Sequence, residues 1–326
     1  MLATVDHPKL FLPGLAPKPR FGKHYELLVL SYGGGQDSTA LLLKLLFDKK
    51  FQQAYSFNHL LIIMSDTGNE HDHTYQYVRN VVAPLCESEK IEFIFLTKDM
   101  GYHSPTWPDL LSFFERTDTC GCKGARFHVC SVRLKVDPIY KVLESWMGRR
   151  FDLKTVDPDS KVGSKKKGFY EFAGKYGPIG MIIGFARGEE DRRAPIHTLP
   201  RWSQETVQRI YPLIDLEMDR AKCQKYIADQ GVEVPFPSAC EICQFQPEQS
   251  LLWLYLNKPA MYERWVKIEA AKLAKFAHLG AKNHGVWPNR TLPEVLEEAM
   301  KKYGAMSREA LVAHKFSNGH DVKSQY

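Results

Sequence analysis

Six consecutive residues, Gly33-Gly34-Gly35-Gln36-Asp37-Ser38, carry the strongest chemical signal in the chain. They separate an apolar run that stops at Ser31 from an Ala- and Leu-rich stretch at helical spacing that begins with Asp37-Ser38-Thr39, so they read as a strand, a tight loop and a helix N-terminus. Glycines let the backbone take positive φ and let a ligand come close, while the first amides of a helix have no carbonyl to bond. That combination is an anion site, most often for phosphate. Neither Walker A nor the Rossmann pattern fits, because Gln36-Asp37-Ser38 occupies the deciding positions. An acidic residue beside a phosphate cradle suggests a metal between the two, which makes Asp37 a Mg²⁺ carrier; a plain helix cap by Asp37 and Ser38 suits the same residues. A second signal is Cys240-Glu241-Ile242-Cys243, whose two-residue gap lets both thiolates face one metal and makes half of a site.

The elements that must position these groups follow from the apolar pattern. After the first strand, apolar runs begin near His59, Ile91, Gly180 and Arg209, and helical stretches begin near Asp37, His71, Val136 and Asp219. Continuous apolar runs alternating with helices predict an α/β fold, a doubly wound, mainly parallel five-stranded sheet covered on both faces. In such sheets ligands sit beyond the carboxyl ends of the strands. That rule collects the loop after the first strand, Asp66-Thr67-Gly68 after the second, and Arg187, Glu190 and Arg192 after the fourth on one rim. Asp66, Thr67 and Gly68 suit a ribose or adenine contact, and Asp66 equally suits a helix cap. Residues 1–24, Pro-rich and broken, read as an N-terminal arm, 25–235 as the α/β domain, and 236–326 as a helical module bearing the Cys pair. Within the domain, 157–177 is polar and Lys-rich and reads as a basic surface insertion, where Lys161, Lys165, Lys166 and Lys167 suit a phosphate backbone or simply a solvated loop.

Bulk properties set limits. An apolar content of 44% over 326 residues supplies a large core, and no run is long enough to span a bilayer, so a cytoplasmic protein is expected. Seven cysteines with no secretory signal argue for metal or redox chemistry over a disulfide framework. A net charge of +6 permits an anionic partner without requiring one.

The loop resembles the Ser-Gly-Gly-x-Asp-Ser signature of the PP-loop ATP pyrophosphatase superfamily, with Gly33 in the place of the first Ser. The ordered series "SDTGNEHDHTYQYV", "RFHVCSVRLKVDPIYKVL", "GFARGEEDRR", "YPLIDLEMDRAKCQKYIADQG" and "PFPSACEICQFQPEQSLLWL" is similar to the phosphoadenosine-phosphosulfate-reductase-like branch, and covers most of the chain. The resemblance implies an adenine nucleotide α-hydrolase-like fold and an ATP site made by Ser31, Gly33 to Gly35, Gln36 to Thr39 and Asp66 to Gly68, with Glu190 and Arg192 facing nucleotide or substrate. It also implies Lys135, three residues before Pro138, and Arg187 as charge-neutralising catalytic groups beside Asp37. It places Cys130 and Cys223 with Cys240 and Cys243 as a Cys₄ site for a [4Fe–4S] cluster, with Zn²⁺ as the alternative. Cys120 and Cys122 stand by as a replacement ligand or a persulfide-carrying thiol, and Cys86 reads as a small buried apolar residue.

Reductases of that branch attack through a cysteine in a C-terminal Glu-Cys-Gly-Leu-His segment, and this chain has no cysteine after Cys243. The expected activity is therefore ATP cleavage between the α and β phosphates, adenylating a nucleic acid or nucleotide for sulfur transfer, as in the ATP pyrophosphatase subunit of DNA phosphorothioation systems. The partners this implies are a sulfur-donor protein such as a cysteine desulfurase, and a homo-oligomer or a multi-protein system. A phosphosulfate-type reductase and a non-catalytic nucleotide- or cluster-sensing subunit are the alternatives.

Overall fold

The computed structural model describes residues 23–123, 129–280 and 285–318. Its centre is one all-parallel sheet of five strands, β1 (Lys23–Ser31), β2 (Tyr55–Ser65), β3 (Glu92–Leu96), β4 (Ile179–Ile183) and β5 (Val207–Ile210), in the order β3-β2-β1-β4-β5. The helices that bear on the site are α1 (Gln36–Phe47), α2 (Leu110–Thr117), α3 (Asp137–Phe151), α4 (Lys167–Tyr176), α5 (Arg220–Asp229), α6 (Glu248–Asn257), α7 (Pro259–Phe276), α8 (Leu292–Tyr303) and α9 (Arg308–Asn318).

Why the strand runs are apolar without alternation is plain from the two faces. In β1, Leu28 and Leu30 join one core with α1 and α5, while Leu27 and Val29 join the opposite core with α3 and α4. Likewise Leu60, Ile62 and Met64 of β2 face the first core, and Leu61 and Ile63 the second. A strand with both faces covered has no solvent side to mark with polar residues. The chain lays β2 and β3 to one side of β1, then crosses to lay β4 and β5 on the other. Strand order thus reverses between β1 and β4, which opens a crevice beyond their carboxyl ends.

Two sequence expectations change. Residues 157–177 are not a mere surface loop, because they end in α4, which buries Phe169 and Phe172 completely. The segment is tied down by the buried Glu144 of α3, which accepts from the Ser164 and Gly168 amides at 2.9 and 3.1 Å. Lys166 is half-buried over the rings of Tyr140, Phe169 and Trp202, and Lys161 lies over Tyr102 and donates to its hydroxyl. Only Lys165 and Lys167 of that quartet are exposed away from aromatic rings, so it forms no continuous basic track.

The C-terminal helices α6 to α9 do not pack as a separate module either. Their core of Leu251, Trp265, Val295 and Leu311 is continuous with Leu110, Phe113 and Phe114 of α2. The Cys pair is stitched to the loop after β2 by an antiparallel bridge between Glu70 and Cys240 and by the Glu241 amide donating to the Asn69 carbonyl at 2.8 Å. Of the expected N-terminal arm, residues 1–22 lie outside the described residues and the last two open β1. No helix among the described residues is long and apolar enough to cross a membrane.

Candidate functional site

The loop after β1 is held open by its own residues. Gly34 has φ +75, where only glycine sits without strain, and a Cβ there would meet the Thr74 side chain at 2.7 Å. The Ser38 hydroxyl accepts from the Gly33 amide at 3.2 Å and donates to the Gly35 carbonyl at 3.1 Å, so it braces the turn. Thr39 is buried and shares a hydrogen bond of 2.8 Å with the Tyr32 hydroxyl, while Gln36 donates to the Pro235 carbonyl and accepts from Gln224. Both side chains shape the loop rather than reach across it. No side chain caps α1, whose first amides have no intrahelical partners, and the residues that carry them line the crevice.

That crevice is a cavity of about 310 Å³. Its walls carry Ser31, Gly33, Gly35, Gln36, Asp37 and Ser38 from the loop, Thr67 from the turn after β2, and Lys135, Arg192, Arg209 and Arg220 as cationic groups. Cys130, Cys240 and Cys243 line it as well. Glycine loop, cations and thiols therefore open into one space.

Asp37 is the acidic member. Burial, then the nearby Glu189, push its carboxyl up to about 6 against the pull of Arg220 and Arg192. Its Oδ1 is buried with no hydrogen-bond partner among the described residues, a free hard oxygen of the kind Mg²⁺ takes. Lys135 is placed by a π-helical turn, Val132–Val136, that runs into α3; the Leu134 carbonyl of that turn accepts from the Ser65 hydroxyl at 2.7 Å. Its ammonium pairs at 2.9 Å with Glu70, whose side chain is wholly buried. Arg192 pairs with Glu189 at 2.8 Å and lies over the Phe185 ring, and Arg220 meets the same Glu189 at 3.4 Å. Arg209 differs, since its Nη1 is buried with no hydrogen-bond partner among the described residues.

Besides Gly34 and Thr39, four expected residues do not line the cavity, one of them Gly68, which has φ +71 and gives its amide to the Asp66 carboxylate. Arg187 does not reach the cavity; its half-exposed guanidinium faces Glu217 at 3.6 Å. Glu190 accepts from the Gly188 amide at 3.0 Å and is used within its own turn. Asp66 likewise turns inward, accepting from the Gly68 amide and the Tyr75 hydroxyl at 2.8 and 2.7 Å, and its carboxyl is raised chiefly by burial. Sequence reasoning missed Arg209 and Arg220, and it collected Glu70 on the rim without giving it a partner. Glu70 ends the quoted turn after β2 and Arg220 opens α5, but nothing local marks Glu70 as the partner of Lys135 or Arg220 as facing the loop after β1.

The thiols divide. Cys130, Cys240 and Cys243 share the cavity, where burial raises the pKa of each; Cys243 is pushed up to about 12, with Cys130 adding to it. Cys240 also touches Thr67 at 3.2 Å. Cys223 is a correction: it lies fully buried on α5 among the residues under α1, hydrogen-bonded to Asp37, and does not line the cavity. Cys120 is fully buried and pushed up to about 12 by burial, which is the environment of an inert thiol and not of a persulfide carrier. Three soft donors in one cavity suit an iron–sulfur cluster or Zn²⁺ by their chemistry, though no group of three or more His, Cys, Asp or Glu side chains among the described residues is drawn together as a finished metal site. No family model matches the chain, and no curated protein does.

Proposed function

We propose that the chain is an enzyme of the PP-loop ATP pyrophosphatase superfamily, in its phosphoadenosine-phosphosulfate-reductase-like branch, that cleaves ATP between the α and β phosphates and adenylates an oxygen of a nucleic acid or nucleotide for sulfur transfer. The observation that carries this reading is the single cavity shared by the glycine loop, Asp37, Lys135, Arg209, Arg220 and three thiols.

The Gly33 to Gly35 segment and the first turn of α1 bind the leaving pyrophosphate through backbone amides, in a site that needs no reorganisation as charge develops. Asp37 would hold Mg²⁺, which neutralises phosphate charge when bound. Lys135, Arg192, Arg209 and Arg220 stabilise the negative charge shed as the target oxygen attacks the α phosphorus and the bond to the β phosphate breaks. A sulfur nucleophile from a donor protein then displaces AMP. Cys130, Cys240 and Cys243 would hold the iron–sulfur cluster, which supplies sulfur-handling or redox chemistry when bound.

The test is incubation of the full chain with Mg²⁺ and α-labelled ATP, with DNA, RNA and small nucleotides as acceptors. AMP and pyrophosphate are expected, lost in Asp37→Ala. Release of ADP and phosphate, or nucleotide binding with no turnover on any acceptor, would overturn the reading in favour of a hydrolase or a sensing subunit.

A further inference from the structure

A second hollow, of about 460 Å³, opens at the flank of the sheet between α3 and β3, whose outer edge pairs with no strand among the described residues. It shares no lining residue with the cavity at the carboxyl ends of β1 and β4. Val142, Trp146, Arg149 and Arg150 recur at i, i+4, i+7 and i+8 along α3, so one face of that helix supplies both an apolar floor and a cationic end. Met100 extends the floor, and Lys161, from the segment before α4, adds a third cation.

The charge of the hollow is not balanced from within. Lys161 donates to the Tyr102 hydroxyl at 3.2 Å and lies over its ring, Arg149 donates to the Pro158 carbonyl at 2.8 Å, and Arg150 touches the His59 imidazole at 3.5 Å. None of these partners is a carboxylate, and none of the three cations forms an ion pair among the described residues. The one acid on the wall, Glu92, accepts from the Trp146 indole at 2.8 Å. Three positive charges against one negative leave a surplus of two. Tyr102 registers that surplus: burial would raise its phenol, yet hydrogen bonds from Ser145, Lys161 and Arg149 hold it below its ordinary value. These donors crowd a neutral oxygen where an anionic one would be the stronger acceptor.

We propose that this hollow is a binding site for a compact phosphate monoester, with the phosphoryl group against Arg149, Arg150 and Lys161 and the organic part on Met100, Val142 and Trp146. A phosphate monoester carries about 1.5 to 2 negative charges near pH 7, which matches the surplus. Guanidinium forks also take its oxygens two at a time. A carboxylate would bring a single charge and leave the surplus half met. The cations gather at one hollow and do not line a stripe, which suits a small ligand better than a nucleic acid backbone. Because no residue is shared with the cavity, this site stands or falls separately from the cleavage of ATP.

The probe is phenyl phosphate, titrated into the full chain and followed by phosphorus NMR, with inorganic phosphate and a short single-stranded DNA titrated in parallel. Wild type is expected to bind phenyl phosphate about 10-fold more tightly than inorganic phosphate, the effect of burying about two methylene-sized groups. The double variant Arg149→Gln/Lys161→Gln, and Arg150→Gln by itself, are each expected to weaken phenyl phosphate binding about 10-fold or more. All three side chains are exposed, and melting temperature checks that both variants fold. Arg209→Met, in the cavity, should leave this binding in place. Binding that persists unchanged in the two hollow variants, whatever Arg209→Met does, puts the phosphate elsewhere and overturns the site. No binding by wild type, or equal affinity for inorganic and phenyl phosphate, overturns the monoester assignment. DNA that binds more tightly than phenyl phosphate and is released by the same variants overturns the small-ligand assignment in favour of a nucleic acid.

Discussion

At the scale of single residues, the cavity keeps two groups in states that cost the fold stability. Asp37 holds its proton up to about 6, above its ordinary 3.8, so between these limits the folded chain carries a proton that the unfolded chain has released. Stability must therefore fall as pH rises through that window and stay reduced above it. In metal-free buffer with chelator, Asp37→Asn is expected to be more stable than wild type at pH 7 by up to about 3 kcal/mol, with the difference vanishing below about pH 4, as read by urea unfolding at each pH. Arg209 presents the second case, a buried guanidinium nitrogen with no hydrogen-bond partner among the described residues. A triphosphate would supply that partner through a charge-assisted bond of about 1.5–3 kcal/mol, so Arg209→Met is expected to weaken ATP binding about 10–100-fold in titration calorimetry. Its melting temperature without nucleotide should not drop.

Among elements, rigid backing explains how loops so rich in glycine and polar groups stay in place. The turn around 285–292 that leads into α8 is pinned from within α7 by Glu269, whose two carboxylate oxygens accept from the Val286 and Leu292 amides at 2.8 and 2.6 Å. Glu269 is buried, and burial raises its carboxyl above the usual range. Glu269→Gln replaces one acceptor by a donor facing an amide, and should cost about 1–3 kcal/mol in chemical denaturation. The same logic governs 157–177, where the buried Glu144 gathers two backbone amides ahead of α4. In both places one buried carboxylate does the work that a regular hydrogen-bond ladder does elsewhere.

Taken whole, the molecule is a parallel sheet whose switch point is roofed by residues 237–245, and that roof is carried by the C-terminal helices. Cutting the chain after 235 would strip Leu110, Phe113 and Phe114 of α2 of their covering and remove the bridge between Glu70 and Cys240. The fragment 23–235 is expected to show strong ANS fluorescence and weak near-ultraviolet circular dichroism, the signs of lost tertiary packing. A cooperative, ANS-silent fragment would show that the sheet half stands alone.

The sequence by itself determined the sheet class, the apolar runs that become its strands, the glycine loop and the Cys pair, because each is written in local chemistry: apolar runs closed by turn residues, positive-φ glycines, a two-residue thiol gap. Arg187 and Cys223 show where that stops. Their neighbours in sequence suit a site, yet Arg187 turns to Glu217 and Cys223 settles against Asp37 beneath α1. Only the tertiary structure decided that Glu70 would meet Lys135, that Arg209 and Arg220 would face the loop after β1, and that Gln244 would hold Cys122. Those contacts join residues from 65 to nearly 190 positions apart, set by strand order and helix packing, and no local pattern of residue types encodes them.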